Sequence, residues 1–282
     1  MIFWIASYPK SGNTWLRSLL CSYYYSENGY FDQKLLSKID QFPQKKYFNI
    51  FNYNKGLATD TSRFWIKAQE QINLDKELKF FKTHNLLGEI NGNQFTNNQN
   101  TIGAVYIVRD PRNIITSLKN HYELNDNDAL EFMLSEKKYT YDYEKTNDFS
   151  DFQLISSWQN NYKSWKNQKI FPILFIRYED LFEKTFSVFK KLIEFINLIT
   201  KNSAKFNKKK AKNAVSSSSF ESLRNIEKKN GFVEAVSSNT SKKKIPFFFL
   251  GPKNDWKQIF NSSYQDKLNL TFYENLKELN YI

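Results

Sequence analysis

Four clusters in this 282-residue chain carry groups able to bind anions or move protons. They are Ser7-Tyr8-Pro9-Lys10-Ser11-Gly12-Asn13-Thr14, Lys82-Thr83-His84, Arg109-Asp110-Pro111-Arg112 and Arg177-Tyr178-Glu179-Asp180. In the first, Lys10 and Gly12 lie in a short loop just ahead of a segment with helical apolar spacing. Such a loop offers a phosphate-like anion its backbone N–H groups, the positive end of a helix and one point charge. It is not the triphosphate loop G-x-x-x-x-G-K-[S/T], because the first glycine is missing and Gly12 follows Lys10. The expected ligand is a nucleotide phosphate without the Mg·ATP arrangement. His84, two residues beyond Lys82, supplies an imidazole suited to taking a proton near pH 7.

Each cluster follows a short apolar run: Ile2–Ala6, Leu78–Phe81, Ala104–Val108 and Ile173–Ile176. Runs of this length, rich in β-branched and aromatic residues, read as buried parallel strands when helical segments separate them. Helical spacing does follow three of them. Trp15, Leu16, Leu19, Leu20, Tyr23 and Tyr24 share one face after the first. After the third, Asp110 is a candidate N-cap with Pro111 at the first helical position, and Ile114, Ile115, Leu118 and Tyr122 repeat. Phe186, Phe189, Leu192, Ile193 and Ile196 repeat after the fourth. Alternation of this kind predicts an α/β fold, a single domain over residues 1–282 with a central, mostly parallel sheet flanked by helices. Ligands of open α/β sheets bind beyond the carboxyl ends of the strands, so the four clusters should converge on one crevice. Residues 91–102 read as a polar loop, and 125–150 as a helix followed by a mobile loop.

Composition sets the outer bounds. A net charge of +12 invites an anionic partner, and an aromatic share of 17% excludes a disordered chain. One cysteine, Cys21, excludes a disulfide framework within the chain and a cysteine-based zinc site. Only two histidines, His84 and His121, leave little material for a metal centre, and none is expected. His121 reads as a surface or packing residue. No apolar run approaches the ~18–20 residues that span a bilayer, so the expectation is a soluble, cytoplasmic protein.

Taken together, the motifs resemble those of the sulfotransferases that use 3′-phosphoadenosine 5′-phosphosulfate (PAPS), and among them a cytosolic-type, bacterial member. Tyr8-Pro9-Lys10-Ser11-Gly12-Asn13-Thr14-Trp15 is similar to the family's 5′-phosphosulfate loop Y-P-K-S-G-T-T-W. Arg109 to Ser117 resembles its 3′-phosphate motif, Lys82-Thr83-His84 its K-[T/S]-H, Tyr178-Glu179-Asp180-Leu181 its Y-E-D-[L/M], and Ser218-Ser219-Phe220 its T-S-F. Order and rough spacing agree from residue 3 to about residue 260. The resemblance implies a P-loop-nucleotide-hydrolase-like sulfotransferase fold, with PAPS as co-substrate and no metal.

By the same resemblance, the nucleotide site draws on residues 5–17, 109–117, 178 and 218–257. Lys10, Ser11, Gly12, Asn13 and Thr14 would hold the 5′-phosphosulfate, and Trp15 would stack on the adenine. Arg109 and Ser117 would grip the 3′-phosphate, while Tyr178, Ser218, Phe220 and Gly251 would contact the nucleotide. His84 would be the general base for in-line displacement, with Lys10 and Lys82 stabilising charge on the sulfuryl group and the leaving oxygen. The family's C-terminal R-K-G-x-x-G-D-W-K reads here Phe249-Leu250-Gly251-Pro252-Lys253-Asn254-Asp255-Trp256-Lys257, so a basic pair is replaced. Lys253, Lys242-Lys243-Lys244 and Arg112 are candidate substitutes for it. The acceptor is expected to be a small or sugar-like molecule bearing a hydroxyl, less readily an amine. Loops 24–65 and 122–155 would enclose it, with Tyr25, Phe42, Tyr47, Phe48, Phe51, Tyr139, Tyr141 and Tyr143 as candidate lining.

Three other classes compete. A nucleic-acid-binding module would use the positive charge, but the longest basic stretch, Lys205–Lys212, has one aromatic and reads equally well as a solvated helix face, so no nucleic acid is expected. A nucleotide kinase lacks its first loop glycine and a carboxylate pair for Mg²⁺. A catalytically impaired nucleotide-binding relative is motivated by Phe249-Leu250.

Overall fold

A computed structural model describes residues 1–238 and 240–282, and the side chains of all of these except 144 and 145. Asn239, within the 218–257 segment, and the side chains of Glu144 and Lys145, within 122–155, therefore lie outside the described residues.

Five parallel strands form the main sheet, in the order Asp40–Gln41, Lys79–Thr83, Ile2–Ser7, Thr101–Val108, Ile173–Arg177. The four apolar runs thus fall on strands: three are extended by one to three residues, and the second is shifted, leaving Leu78 outside and running on to Thr83. Asp40–Gln41 is too short and too polar to show in the sequence, and it pairs at the edge beside Phe81 and Lys82.

Alternation along the central strands divides the core between the two faces of the sheet. Ile2, Trp4 and Ala6, with Ala104, Tyr106 and Val108, face one fully buried cluster, which includes Phe42, Trp65, Trp158 and Trp165. Phe3 and Ile5, with Val105 and Ile107, face the other, where helices Asn13–Tyr25 and Thr185–Thr200 contribute Leu16, Leu19, Leu20, Phe189 and Leu192. Each large side chain taken fully out of water stabilises the fold by roughly 1.5–3 kcal/mol. Trp4 keeps its indole N–H satisfied by donating to Thr101 Oγ1 at 2.8 Å.

The helix after the third run begins as its spacing predicts. Asp110 accepts the backbone N–H of Arg112, and Pro111 opens helix Pro111–Tyr122. Residues 91–102 hold more than a loop, since Asn93–Gln94 pairs with Glu89–Ile90 as a hairpin. Likewise 125–150 contains helix Asp126–Leu134, the strand Tyr139–Thr140, paired with Gln153–Leu154, and the short helix Tyr143–Thr146. The basic stretch is largely the exposed start of helix Lys208–Ser217, whose Ala211 and Ala214 pack inward. Among the described residues, no helix is long and apolar enough to cross a membrane.

Candidate active site

The central strand Ile2–Ser7 delivers its chain into a tight loop. Lys10 and Gly12 both adopt left-handed backbone conformations, at φ 65° and 99°. At Gly12 an added Cβ would also stand 2.6 Å from the Tyr178 ring, so both conformation and space demand glycine. Helix Asn13–Tyr25 starts immediately afterwards with no side chain capping its first N–H groups. Asn13 braces the turn from beneath, donating Nδ2 to the Ile5 carbonyl at 2.9 Å and to Ser7 Oγ at 3.2 Å. That amide nitrogen is spent on the strand, so the Asn13 side chain shapes the loop.

The cations then gather around this loop. Lys10 holds its ammonium 4.2 Å above the Phe247 ring. Burial lowers its pKa to about 8, with Glu234 opposing that shift and Lys82 and Arg109 adding to it. Arg109, at the end of Thr101–Val108, donates Nη1 to the Lys10 carbonyl at 3.1 Å and to Ser117 Oγ at 3.4 Å. Its guanidinium lies 4.3 Å over the Tyr178 ring, while its buried Nε has no hydrogen-bond partner. Tyr178, directly after Ile173–Arg177, meets Trp15 edge-to-face at 5.6 Å. The Trp15 Nε1 and Ser11 Oγ are also buried without partners. Gly251, at φ 53°, leaves room for Phe220, whose ring would lie within 2.5 Å of a Cβ there.

His84 follows strand Lys79–Thr83. Its Nδ1 lies 2.8 Å from the Ser7 carbonyl and 3.2 Å from Ser7 Oγ, and its backbone N–H donates to Gln153 Oε1 at 2.7 Å. A carbonyl only accepts, so Nδ1 carries the proton and Nε2 keeps a lone pair. Burial and then the Lys82 charge lower the imidazole pKa to about 3, against opposing contributions from Ser7 and Glu234.

All of this opens into one cavity of about 1910 Å³. Lys10, Gly12, Asn13, Thr14, Trp15, Lys82, His84, Arg109, Ser117, Tyr178, Phe220 and Gly251 line it, so the four strand-end clusters do meet. Ser11 and Ser218 do not line it: both are fully buried, and Ser219, which caps helix Phe220–Asn230, takes the lining position beside Phe220. Arg112 also drops out as a phosphate ligand, because Asp110 holds it through a bidentate pair, Asn269 accepts Nη1, and Trp256 stacks at 4.1 Å. Lys253 is exposed and away from the lining, whereas Lys242 and Lys244 are part of it.

Three lining residues escaped the sequence. Glu234 accepts from Thr14 Oγ1 at 2.6 Å, Arg17 Nη1 at 2.6 Å and Lys82 Nζ at 3.3 Å. Arg17 carries a usable signal, since it follows Thr14 by three and so shares its helix face. Glu234 has none, being 220 residues from Thr14 in an irregular segment. His121, expected at the surface or in packing, lines the cavity with its ring 6.1 Å from Phe247. Burial, then Lys10 and Lys82, lowers its pKa to about 3. On the acceptor side, loops 24–65 and 122–155 contribute Gln33, Asp40, Gln44, Tyr139, Tyr141 and Asp151. Of the predicted aromatics, Tyr139 and Tyr141 alone reach the wall, whereas Phe42 and Phe48 are fully buried in the core.

A parallel α/β sheet with a glycine-bearing loop after its central strand and a basic, histidine-bearing cavity defines the class of open α/β proteins whose ligand site lies at the carboxyl ends of the strands. Within that class, the family described as "Sulfotransferase domain" matches residues 2–280, and the chain belongs to it. Its reaction class is therefore sulfuryl transfer. It is 24% identical over 280 residues to luciferin sulfotransferase of Photinus pyralis, covering 97% of this chain and 70% of that protein. Identity to sulfotransferase 1E1 of Bos taurus is 23% over 279 residues, covering 97% and 82%. Among solved structures, retinol dehydratase in complex with androsterone and the inactive cofactor PAP superposes with a TM-score of 0.55 at 18% identity, covering 98% of this chain and 80% of that one. A mouse sulfotransferase complexed with PAP gives 0.54 at 18% identity, covering 98% and 84%.

Proposed function

We propose that this enzyme transfers a sulfuryl group from PAPS to a hydroxyl of a small or sugar-like acceptor, with His84 as general base. The observation that carries the reading is the placement of His84. Its Nδ1 is anchored on the Ser7 carbonyl, and its ring lines the same cavity as Lys10 and Lys82. Nε2 is then the nitrogen available to take a hydroxyl proton as oxygen attacks sulfur.

The chain's groups fit such a donor. Buried atoms without partners at Trp15 Nε1 and Arg109 Nε, on residues that line the cavity, together with a glycine cradle, provide unused hydrogen-bonding capacity around the loop. PAPS, when bound, supplies an activated sulfuryl group on its 5′-phosphate. Lys10, the loop N–H groups and Thr14 would hold the 5′ side, and Arg109 with Ser117 the 3′-phosphate. Lys242 and Lys244 line the cavity and are the candidates to replace the cations missing at Phe249-Leu250. The PAP named in the related structures supports the same assignment. Lys10 and Lys82 would offset negative charge as the bond to the leaving oxygen breaks.

The acceptor side favours a molecule with polar groups. Gln33, Asp40, Gln44 and Asp151 stand among Tyr139 and Tyr141 there, and the Oε1 atoms of Gln33 and Gln44 are buried without partners.

Calorimetric titration with PAP tests the donor site, and transfer from labelled PAPS to an acceptor panel tests the reaction. His84→Ala should cut the transfer rate ~10²–10⁴-fold while leaving PAP affinity within a few-fold. An unchanged rate in the variant would remove His84 from the mechanism. PAP binding without transfer to any acceptor would instead favour the impaired relative suggested by Phe249-Leu250.

A further inference from the structure

Thr14 and Lys82, which the donor reading places around the 5′ side, join Arg17 in holding an anion of the protein's own. Glu234 Oε1 takes Arg17 at 2.6 Å and Lys82 at 3.3 Å, and Oε2 takes Thr14 at 2.6 Å. The carboxylate is about four-fifths buried, and Arg17 beneath it is nearly inaccessible, with Nη2 donating to the Leu36 and Ile39 carbonyls. A carboxylate bonded to a hydroxyl of the first helical turn, a strand-end lysine and a guanidinium takes interactions an oxyanion of the donor would seek.

Resting on the donor reading, we propose that Glu234 is a placeholder anion, and that nucleotide binding is an exchange in which the donor displaces this carboxylate from Thr14 and Lys82. Two anions cannot share that contact without strong repulsion, and the donor carries the larger charge. Arg17, deeper than the other two, retains Glu234 as the carboxylate swings aside.

Glu234 belongs to the segment between helix Phe220–Asn230 and the turn Gly251–Lys253. The far end of that segment is pinned, since Glu227 accepts the backbone N–H groups of Phe247 and Phe248 at 2.6 and 2.9 Å. Phe232, beside Glu234, packs on both rings at 4.9 and 4.8 Å. The same segment brings Lys242, Lys244 and Phe247 to the cavity wall. With the segment held at these points, the exchange moves the Glu234 side chain and leaves Lys242 and Lys244 at the wall. The cost is a weaker apparent affinity for the donor, because the competing carboxylate is tethered at the site.

The test is calorimetric titration of PAP into wild type, Glu234→Gln and Glu234→Asp at fixed ionic strength, with thermal melts to confirm folding. Glutamine still offers Arg17 an oxygen, and aspartate keeps the charge but is shorter by one methylene. Both should bind PAP about tenfold more tightly than wild type, a change that titration resolves readily. In Glu234→Ala, added acetate should weaken PAP binding competitively, with a far smaller effect on wild type. Folded variants that bind PAP equally or more weakly overturn the exchange, and acetate without differential effect does so independently of their stability. No PAP binding by any form would overturn the donor reading itself, which the wild-type titration reports separately.

Discussion

Lys10 keeps its charge against its surroundings. Burial pulls its pKa down to about 8 from an ordinary value of 10.5, and Glu234 resists. A bound phosphate favours the ammonium, so above about pH 8 the free protein must take up a proton to bind the donor. PAP affinity should accordingly be flat from pH 6.5 to about 7.5 and fall as pH rises through 8 towards 10. Calorimetry across that range in buffers of differing ionisation heat checks both the trend and the proton uptake. Lys10→Arg, whose guanidinium stays charged, should flatten the upper limb whatever its effect on affinity at pH 7. His84 stands apart from this titration, because with a pKa of about 3 it is already neutral throughout that range.

Elements decide whether such residues meet, and here the loop after the central strand matters most. Gly12 has two reasons to be glycine, its φ of 99° and the Tyr178 ring 2.6 Å from any Cβ. Gly92 in the Asn93–Gln94 hairpin has only the first, at φ 77° with nothing within 4 Å. Gly12→Ala should therefore lose more stability than Gly92→Ala, which bears a backbone cost of about 1–3 kcal/mol alone. It should also weaken PAP binding at least tenfold, with Gly92→Ala leaving Kd unchanged; melts and titration on the pair separate the two effects. This loop and the four main strands were legible because apolar run, polar loop and helical spacing follow one another locally. Arg109, at the strand end, and Ser117, on the helix Pro111–Tyr122 that follows, are only eight apart, and they too are readable. Glu234 is not, because its partners lie 152 to 220 residues away and its own segment has no period. His121 was misplaced for a related reason. Its helix shows a face, but the Phe247 segment that closes over it comes from far down the chain.

At the scale of the whole molecule, the net charge of +12 says that an anion is welcome but not where. The cavity concentrates Lys10, Arg17, Lys82 and Arg109 around one loop, whereas Lys208, Lys209 and Lys212 stand exposed on a helix whose other face packs on Asn13–Tyr25. Beyond about 8 Å, surface charges are largely screened at physiological ionic strength, so the exposed lysines should contribute little to binding a small polyanion. Arg109 is different, being buried against the Lys10 carbonyl and Ser117, where charge acts at short range in a poorly solvated setting. The double substitution Lys208→Ala, Lys209→Ala removes two charges, and Arg109→Ala removes one. At 150 mM salt the first should leave PAP affinity within twofold, and the second should lower it at least tenfold, the difference expected when a charged hydrogen-bond donor worth about 1.5–3 kcal/mol is lost. Duplex DNA added as a competing polyanion should not displace PAP from wild type at that salt. If the surface pair weakens PAP as much as Arg109→Ala, or DNA competes with it, the charge acts as a diffuse field and the strand-end cavity loses its claim to the donor.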